Sequence, residues 1–203
     1  MHAQSGPFVP LEYEYPPSLL STAKTYVYKN LKTGALRYKD VALERRGTDV
    51  VVHWKEYDNS PISDSCTEVN DKGFDHYMLM NGMAIKAVVS EDSVYNDGSK
   101  LGERVQTFYF NLSTEISLLA SIRSSFVKDT SITWKGSAVP CLVIQSNQIQ
   151  RLTNSLFPDK PKEVNGIIYY YFAKGLGLFM YRSESEQDRS TWELQEIKEK
   201  PAK

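Results

Sequence analysis

The stretch from Asn165 to Arg182 constrains the fold more than any other part of the chain. It carries Ile167, Ile168, Tyr169, Tyr170, Tyr171 and Phe172, then Lys174-Gly175, then Leu176 to Tyr181 with glycine at 177. Ile, Tyr and Phe suit a pleated surface, and glycine permits the positive φ of a tight turn, so the stretch reads as a β-hairpin. With a two-residue loop, Ala173 would face Leu176, Phe172 would face Gly177, Tyr170 would face Phe179, and Ile168 would face Tyr181. Tyr169, Tyr171, Leu178 and Met180 would then share the other face. A hairpin apolar on both faces belongs in the middle of a covered sheet. Something must therefore cover the second face: more of the chain, another subunit or a ligand.

The rest of the chain repeats the strand signal. Residues 1–22 are expected to form an extended Pro-rich lead whose Phe8, Leu11, Tyr13 and Tyr15 can pack along a single β domain of residues 23–198, with 199–203 a disordered, charged tail. Strands are expected over 25–31, 35–45, 49–57, 63–69, 74–80, 83–89 and 104–112, with Asn81-Gly82 the strongest hairpin turn among them. Within 35–45 the apolar phase slips, since Leu36 and Tyr38 share one face while Val41 and Leu43 share the other. That implies a β-bulge near Lys39-Asp40, or a strand passing between two packing environments. Residues 90–102 read as a polar loop. Residues 113–126 fit a strand period better than a helix with Ser113 as N-cap. A hairpin follows around Gly136-Ser137, with Pro140 marking an edge or bulged position. Ile149, Leu152 and Leu156 lie at helical spacing, so 148–156 is the best helix candidate. Residues 157–164 read as a loop, and a last strand covers 191–197. The fold class is all-β: about ten long antiparallel strands in a strongly curved sheet or two packed sheets, with at most one or two short helices.

Composition limits what such a protein does. The 203 residues hold 24 Lys plus Arg against 25 Asp plus Glu, so the chain lacks the basic footprint of nucleic-acid binding. No apolar run approaches the ~18–20 residues of a membrane-spanning helix. The leading Met1 to Pro7 has no charged and apolar signal-peptide pattern, yet Ala3-Gln4-Ser5 before a polar lead resembles what remains beside a cleaved export signal. The expectation is an exported protein, periplasmic or at the cell surface, lacking its signal peptide here. Cys66 and Cys141, the two cysteines, fit neither a zinc site nor a redox pair; they are bridged, or free and buried.

Chemistry is hard to find. His53 alternates with Val52 and Trp54 and reads as a solvated strand residue; His76 shares a face with Phe74, Met78 and Met80 and reads as half-buried. Asp64 and Ser65 with a histidine could be drawn as a triad, but no nucleophile-elbow motif supports it. No metal-ligand spacing is present, and Gly175 and Gly177 precede no helix that could cradle a phosphate. No catalytic residue, metal or cofactor is assigned.

The segment Tyr171 to Leu178, followed by Trp192-Glu193-Leu194, resembles the closing segment of the TapB-like exported proteins of Bacteroidota. Gly136 to Ile144 is similar to the strand preceding it. The resemblance implies an all-β exported protein and carries no catalytic residue with it.

Two functions fit these observations. One is an exported, non-enzymatic binding or interaction protein, which uses Tyr169, Tyr171, Leu178 and Met180 to hold a small apolar or glycan ligand or a protein partner. The other is a hydrolase of unfamiliar design, using His53 or His76 with a nearby carboxylate.

Overall fold

A computed structural model describes the backbone of residues 3–4, 8–14, 19, 22–46, 49–58, 63–70, 73–80, 83–95, 98–185 and 189–200. Side chains are described for these residues except 3–4, 11, 44–55 and 57–84. Among the described residues the chain forms β1 (Ala3–Gln4), α1 (Leu11–Glu14), β2 (Lys24–Asn30), β3 (Leu36–Arg46), β4 (Asp49–Asp58), β5 (Ser63–Asn70) and β6 (Gly73–Met80). There follow β7 (Met83–Lys86), β8 (Val88–Tyr95), β9 (Glu103–Asn111), β10 (Ile116–Trp134), β11 (Ser137–Asn154), β12 (Lys162–Ala173), β13 (Gly177–Ser185) and β14 (Arg189–Glu199). All pairings are antiparallel and belong to one sheet, in the order β1-β8-β9-β10-β11-β12-β13-β14-β2-β3-β4-β5-β6-β7.

This order is a meander closed on itself. Each long strand lies beside its neighbour in sequence, and the last, β14, pairs with β2. The row is interrupted only between β7 and β8, which the buried Ala87 alone separates, and there β6 approaches β8 and β7 approaches β9. The strands therefore run as an up-and-down barrel with a seam at Ala87. Such closure removes sheet edges. The expected strongly curved, all-antiparallel sheet is what forms.

Several local expectations need correction. Residues 148–154 continue β11 rather than forming a helix, because Leu152, Gln150 and Gln148 pair with Leu118, Ala120 and Ile122 of β10 and with Lys162, Val164 and Gly166 of β12. Helical spacing of three apolar residues is outweighed by ladders on both sides. The strand reading of 113–126 holds from Ile116 onward, while Ser113 Oγ accepts hydrogen bonds from the amides of Glu115 and Ile116 to form the turn before it. Much of the supposed polar loop at 90–102 is strand β8, paired with β9. Residues 83–89 are two strands, not one, parting at Ala87. Pro140 sits where β11 has β10 beside it but no β12 partner, as proline requires. The Asn81-Gly82 turn lies outside the described residues, although Met80 does pair with Met83 across it.

The hairpin register also differs. Ala173 pairs with Gly177, Phe172 with Leu178, Tyr171 with Met180 and Tyr170 with Tyr181. The loop is three residues, Lys174 to Leu176, and the register shifts between Tyr171 and Phe172. Gly175 and Gly177 both take positive φ, 74° and 88°. The positive-φ demand at two alternate positions makes the three-residue loop with a bulge, which the two-residue reading did not include.

Large side chains fill one end of the barrel. Leu19, Tyr26, Tyr28, Ala173, Phe179 and Leu194 form one buried cluster, against which Ile132, Trp134 and Val139 of the β10–β11 hairpin pack. Trp134 meets the Phe179 ring edge-on at 6.0 Å. A second cluster joins Phe8 and Val9 of the lead to Val94, Leu142 and Ile144. Phe8 is buried and Tyr13 packs beside it, while Leu11–Glu14 forms a helical turn instead of continuing extended; the Leu11 and Tyr15 side chains lie outside the described residues.

Candidate functional site

Paired residues share a face, so rows of inward side chains can be followed from strand to strand. One row runs Phe126, Ile144, Tyr170, Tyr181, Trp192 and Asn30. Two residues along the strands, the next runs Ser124, Ser146, Ile168, Ser183 and Ser190. The one beyond contains Ile122, Gln148, Gly166 and Ser185. Along β12 and β13 the inward side chains shrink from Tyr170 and Tyr181 to Ser183, Gly166 and Ser185, whereas β9 and β10 carry at that end a buried cluster of Phe108, Phe110 and Ala120 with Leu118 and Ile122. A cavity of about 740 Å³, the mouth, lies against β11 to β14 and is lined from both faces of the sheet, by Gln148, Gly166, Ser183, Ser185 and Ser190 on one and by residues such as Asn147, Ile167, Arg182 and Glu184 on the other.

Adjoining the mouth, through Ser190 and Gln148, is a floor of polar and aromatic side chains. Arg37 Nη1 donates to Tyr181 Oη at 2.7 Å and lies 3.2 Å from Glu56 Oε1. Its guanidinium sits 4.3 Å from the centre of the Trp192 ring, and Trp192 stacks on Tyr181 at 6.2 Å. Trp192 Nε1 donates to Ser190 Oγ, and Gln148 Nε2 donates to Tyr170 Oη at 3.3 Å. Burial pushes the Tyr170 phenol up to about 12 and raises that of Tyr181 as well. Both therefore stay neutral hydroxyls at any ordinary pH. Arg37 and Glu56 keep 28% and 26% of their side-chain surface accessible, so water reaches this floor.

Charges continue inward. Lys39 pairs with Glu56 across β3 and β4, and on the far wall Arg104 Nε and Nη2 reach the Asp92 carboxylate at 2.8 and 2.9 Å. Between these walls comes Glu14 of α1. Burial lifts its carboxyl to about 7 against the opposing pull of Arg104 and Lys39. Burial likewise lowers the Lys39 ammonium, opposed by Glu56 and Glu14.

None of Arg37, Lys39, Glu56, Glu14, Asp92 and Arg104 is among the site residues expected from the sequence. The available signal was the phase slip in 35–45. β3 runs without a bulge, paired in unbroken register with both neighbours, and the inward face simply changes from Arg37 and Lys39 to Val41 and Leu43. Of the two explanations offered, passage between two packing environments is the one the register supports.

The residues expected to bind lie elsewhere. Tyr171 and Met180 are paired, and Tyr169 lies opposite Arg182, whose guanidinium covers the tyrosine ring at 5.0 Å. Leu178 is separated from them by the bulge and faces Phe172. All four are half-buried. The register places His53 opposite Glu68, and His76 opposite Thr67, so the two histidines fall on opposite faces of the sheet. Their side chains, with those of Asp64, Ser65 and Cys66, lie outside the described residues. Cys141 is a buried free thiol, raised by burial to about 11.

No family model matches the chain, and no curated protein matches it. Solved structures do. A provisionally assigned lipoprotein from Parabacteroides distasonis is 14% identical with a TM-score of 0.55, over 96% of this chain and 100% of that one. A provisionally assigned exported protein with a YmcC-like fold from Bacteroides fragilis is 12% identical with a TM-score of 0.54, over 92% of this chain and 99% of that one. At such identities the likeness is one of fold, and it extends over essentially the whole chain. Among the described residues no helix is long and apolar enough to cross a membrane.

Proposed function

We propose that the protein is exported and works as a non-enzymatic binding module, taking a hydroxyl-rich ligand of the glycan kind into the mouth, the cavity against β11 to β14. The observation that carries this is the cavity against β11 to β14, whose lining is mostly polar: serine, threonine, asparagine and glutamine, with Arg182, Glu184 and Arg189. Small polar side chains leave room and offer hydrogen bonds in both directions, which hydroxyl groups need. Two of the cavity's lining residues, Ser190 and Gln148, are held in place by Trp192 and Tyr170, so they can meet a ligand with little reorganisation. Export draws support from the Bacteroidota proteins that share the fold and from the TapB-like segment 171–178. Tyr169, Tyr171 and Met180 share the outer face and are kept as a secondary contact face for a partner, which would have to displace Arg182 from Tyr169, while Leu178 lies beyond the bulge opposite Phe172.

Blocking the mouth tests the proposal. Gly166→Phe fills the cavity from its centre, where even a Cβ would stand 3.3 Å from that of Ser185. Native mass spectra recorded with neutral and acidic oligosaccharides should show a 1:1 complex with the natural chain and none with the variant, both keeping the same circular dichroism. Absence of any oligosaccharide complex with the natural chain, or equal binding by both, overturns it.

A further inference from the structure

Inside the barrel, away from the mouth, the chain occupies its own lumen. Phe8 and Val9 are buried against Leu142, Ile144 and Val94, with Phe126, Tyr170 and Phe172 around them. A few residues on, the Glu14 carboxyl enters the field of Lys39 and Arg104. The lead thus presents an apolar body followed by one anionic group to an apolar wall followed by two cations.

Two features set this segment apart from the rest of the core. The closed circuit of strands does not include it: β1 lies on the outer edge of β8, and residues 8–14 contribute no strand. Its described polar tethers to the barrel are few and sit at the rim. The Gly175 amide donates to the Glu12 carbonyl at 2.7 Å, and Lys174 Nζ stands 3.2 Å from Glu12 Oε1 in an exposed ion pair worth little in water. The carboxyl it buries is, moreover, one that burial destabilises in its charged form.

We infer that residues 8–14 are a displaceable occupant, and that the space they hold is a second binding site, for an amphipathic anion with an apolar body and a single carboxylate or similar group. When the lead withdraws, the wall of Leu142, Ile144, Tyr170 and Phe172 is exposed, and Lys39 and Arg104 lose one of the carboxylates that balance them. Glu56 stays beside Lys39 and Asp92 stays bonded to Arg104, so the space accepts one negative charge and not several. Tyr170 lies between this space and the mouth, bonded to Gln148 on one side and packed near Phe8 on the other. Filling the inner site would therefore be felt at the outer one.

The test uses the full chain and the fluorescent anion 8-anilinonaphthalene-1-sulfonate, with dodecanoate and dodecanol as competitors. Phe8→Ala with Val9→Ala loosens the lead and should raise probe affinity at least tenfold over the natural chain, at one site per molecule. Dodecanoate should displace the probe at far lower concentration than dodecanol. Glu12→Cys with Lys174→Cys, in a Cys66→Ser, Cys141→Ala background, locks the lead at the rim when oxidised. Oxidation should abolish binding, and a reductant should restore it in the same folded sample. Equal probe binding by oxidised and reduced protein overturns the inference, as does a loosened variant that keeps its circular dichroism and binds no probe. Equal competition by dodecanol and dodecanoate overturns the anionic part. None of these readouts involves an oligosaccharide, so the proposal for the mouth stands or falls separately.

Discussion

At the scale of a single residue, Glu14 is the most consequential group in the molecule. Burial opposes its charge more strongly than Arg104 and Lys39 favour it, so the folded carboxyl holds its proton up to about pH 7, against 4.5 for an ordinary glutamate. A group whose folded pKa lies above its unfolded value binds its proton more tightly when folded. Its contribution to stability is complete below about 4.5, and it is lost as pH rises through about 7. Lys39 acts in the same region with its own ammonium lowered by burial, while Glu56, Asp92 and Arg104 are the other charges facing the segment. Glu14→Gln removes the carboxyl but keeps its shape. Urea midpoints measured from pH 4 to 9 should therefore fall between about 4.5 and 7 for the natural chain and stay flatter for the variant. The variant should be the more stable above pH 7. Identical pH profiles for the two proteins would place Glu14 in free contact with water, contrary to its position here.

At the scale of the element, the hairpin of β12 and β13 shows what a sequence does and does not disclose. Its existence, its central place and its apolar faces could all be read from Ile167 to Tyr181, because side-chain type reports on burial. Its register could not, because a loop of two or three residues is chosen by φ at Gly175 and Gly177, and glycine is compatible with either. The same holds for β11, where Ile149, Leu152 and Leu156 mimic a helical stripe that the two flanking ladders override. The polar lumen was illegible for a different reason. Alternation tells which residues share a face, but Arg37 and Lys39 look like solvent-facing residues unless that face is known to enclose water. Gly177, buried with φ near 88°, gives the element its sharpest test. Valine there must adopt a left-handed conformation that costs an L-residue about 1–2 kcal/mol before any packing conflict. A β-branched side chain in a filled site adds about 1–3 kcal/mol. Gly177→Val should lower the urea midpoint well below that of Ser185→Val, which sits in the open cavity. Equal midpoints would contradict the turn described here.

At the scale of the whole molecule, one contact set closes the circuit: the pairing of β14 with β2, which joins residues near 194 to residues near 28. Every other long-strand pairing links neighbours in sequence, so the meander can grow hairpin by hairpin with short loops. Closure alone must bring together segments separated by most of the chain, and the entropy of that step is recovered only when the two strands meet. Leu194 stands at this joint, opposite Tyr28 and 1% exposed, within the cluster that also holds Leu19 and Phe179. Truncating a buried leucine in such a site costs about 2–5 kcal/mol. If closure is the last event, little of that loss is felt in the folding transition state, and the unfolding rate carries nearly all of it. Leu194→Ala should therefore raise the unfolding limb of a urea chevron by about the full equilibrium loss and leave the folding limb almost unmoved. Leu142→Ala offers the comparison: it is equally buried, but on β11 between its sequence neighbours β10 and β12, so it should slow folding as well. A Leu194→Ala variant that folds more slowly while unfolding at the natural rate would mean that the ends meet first, and that the barrel forms by filling a circle already closed.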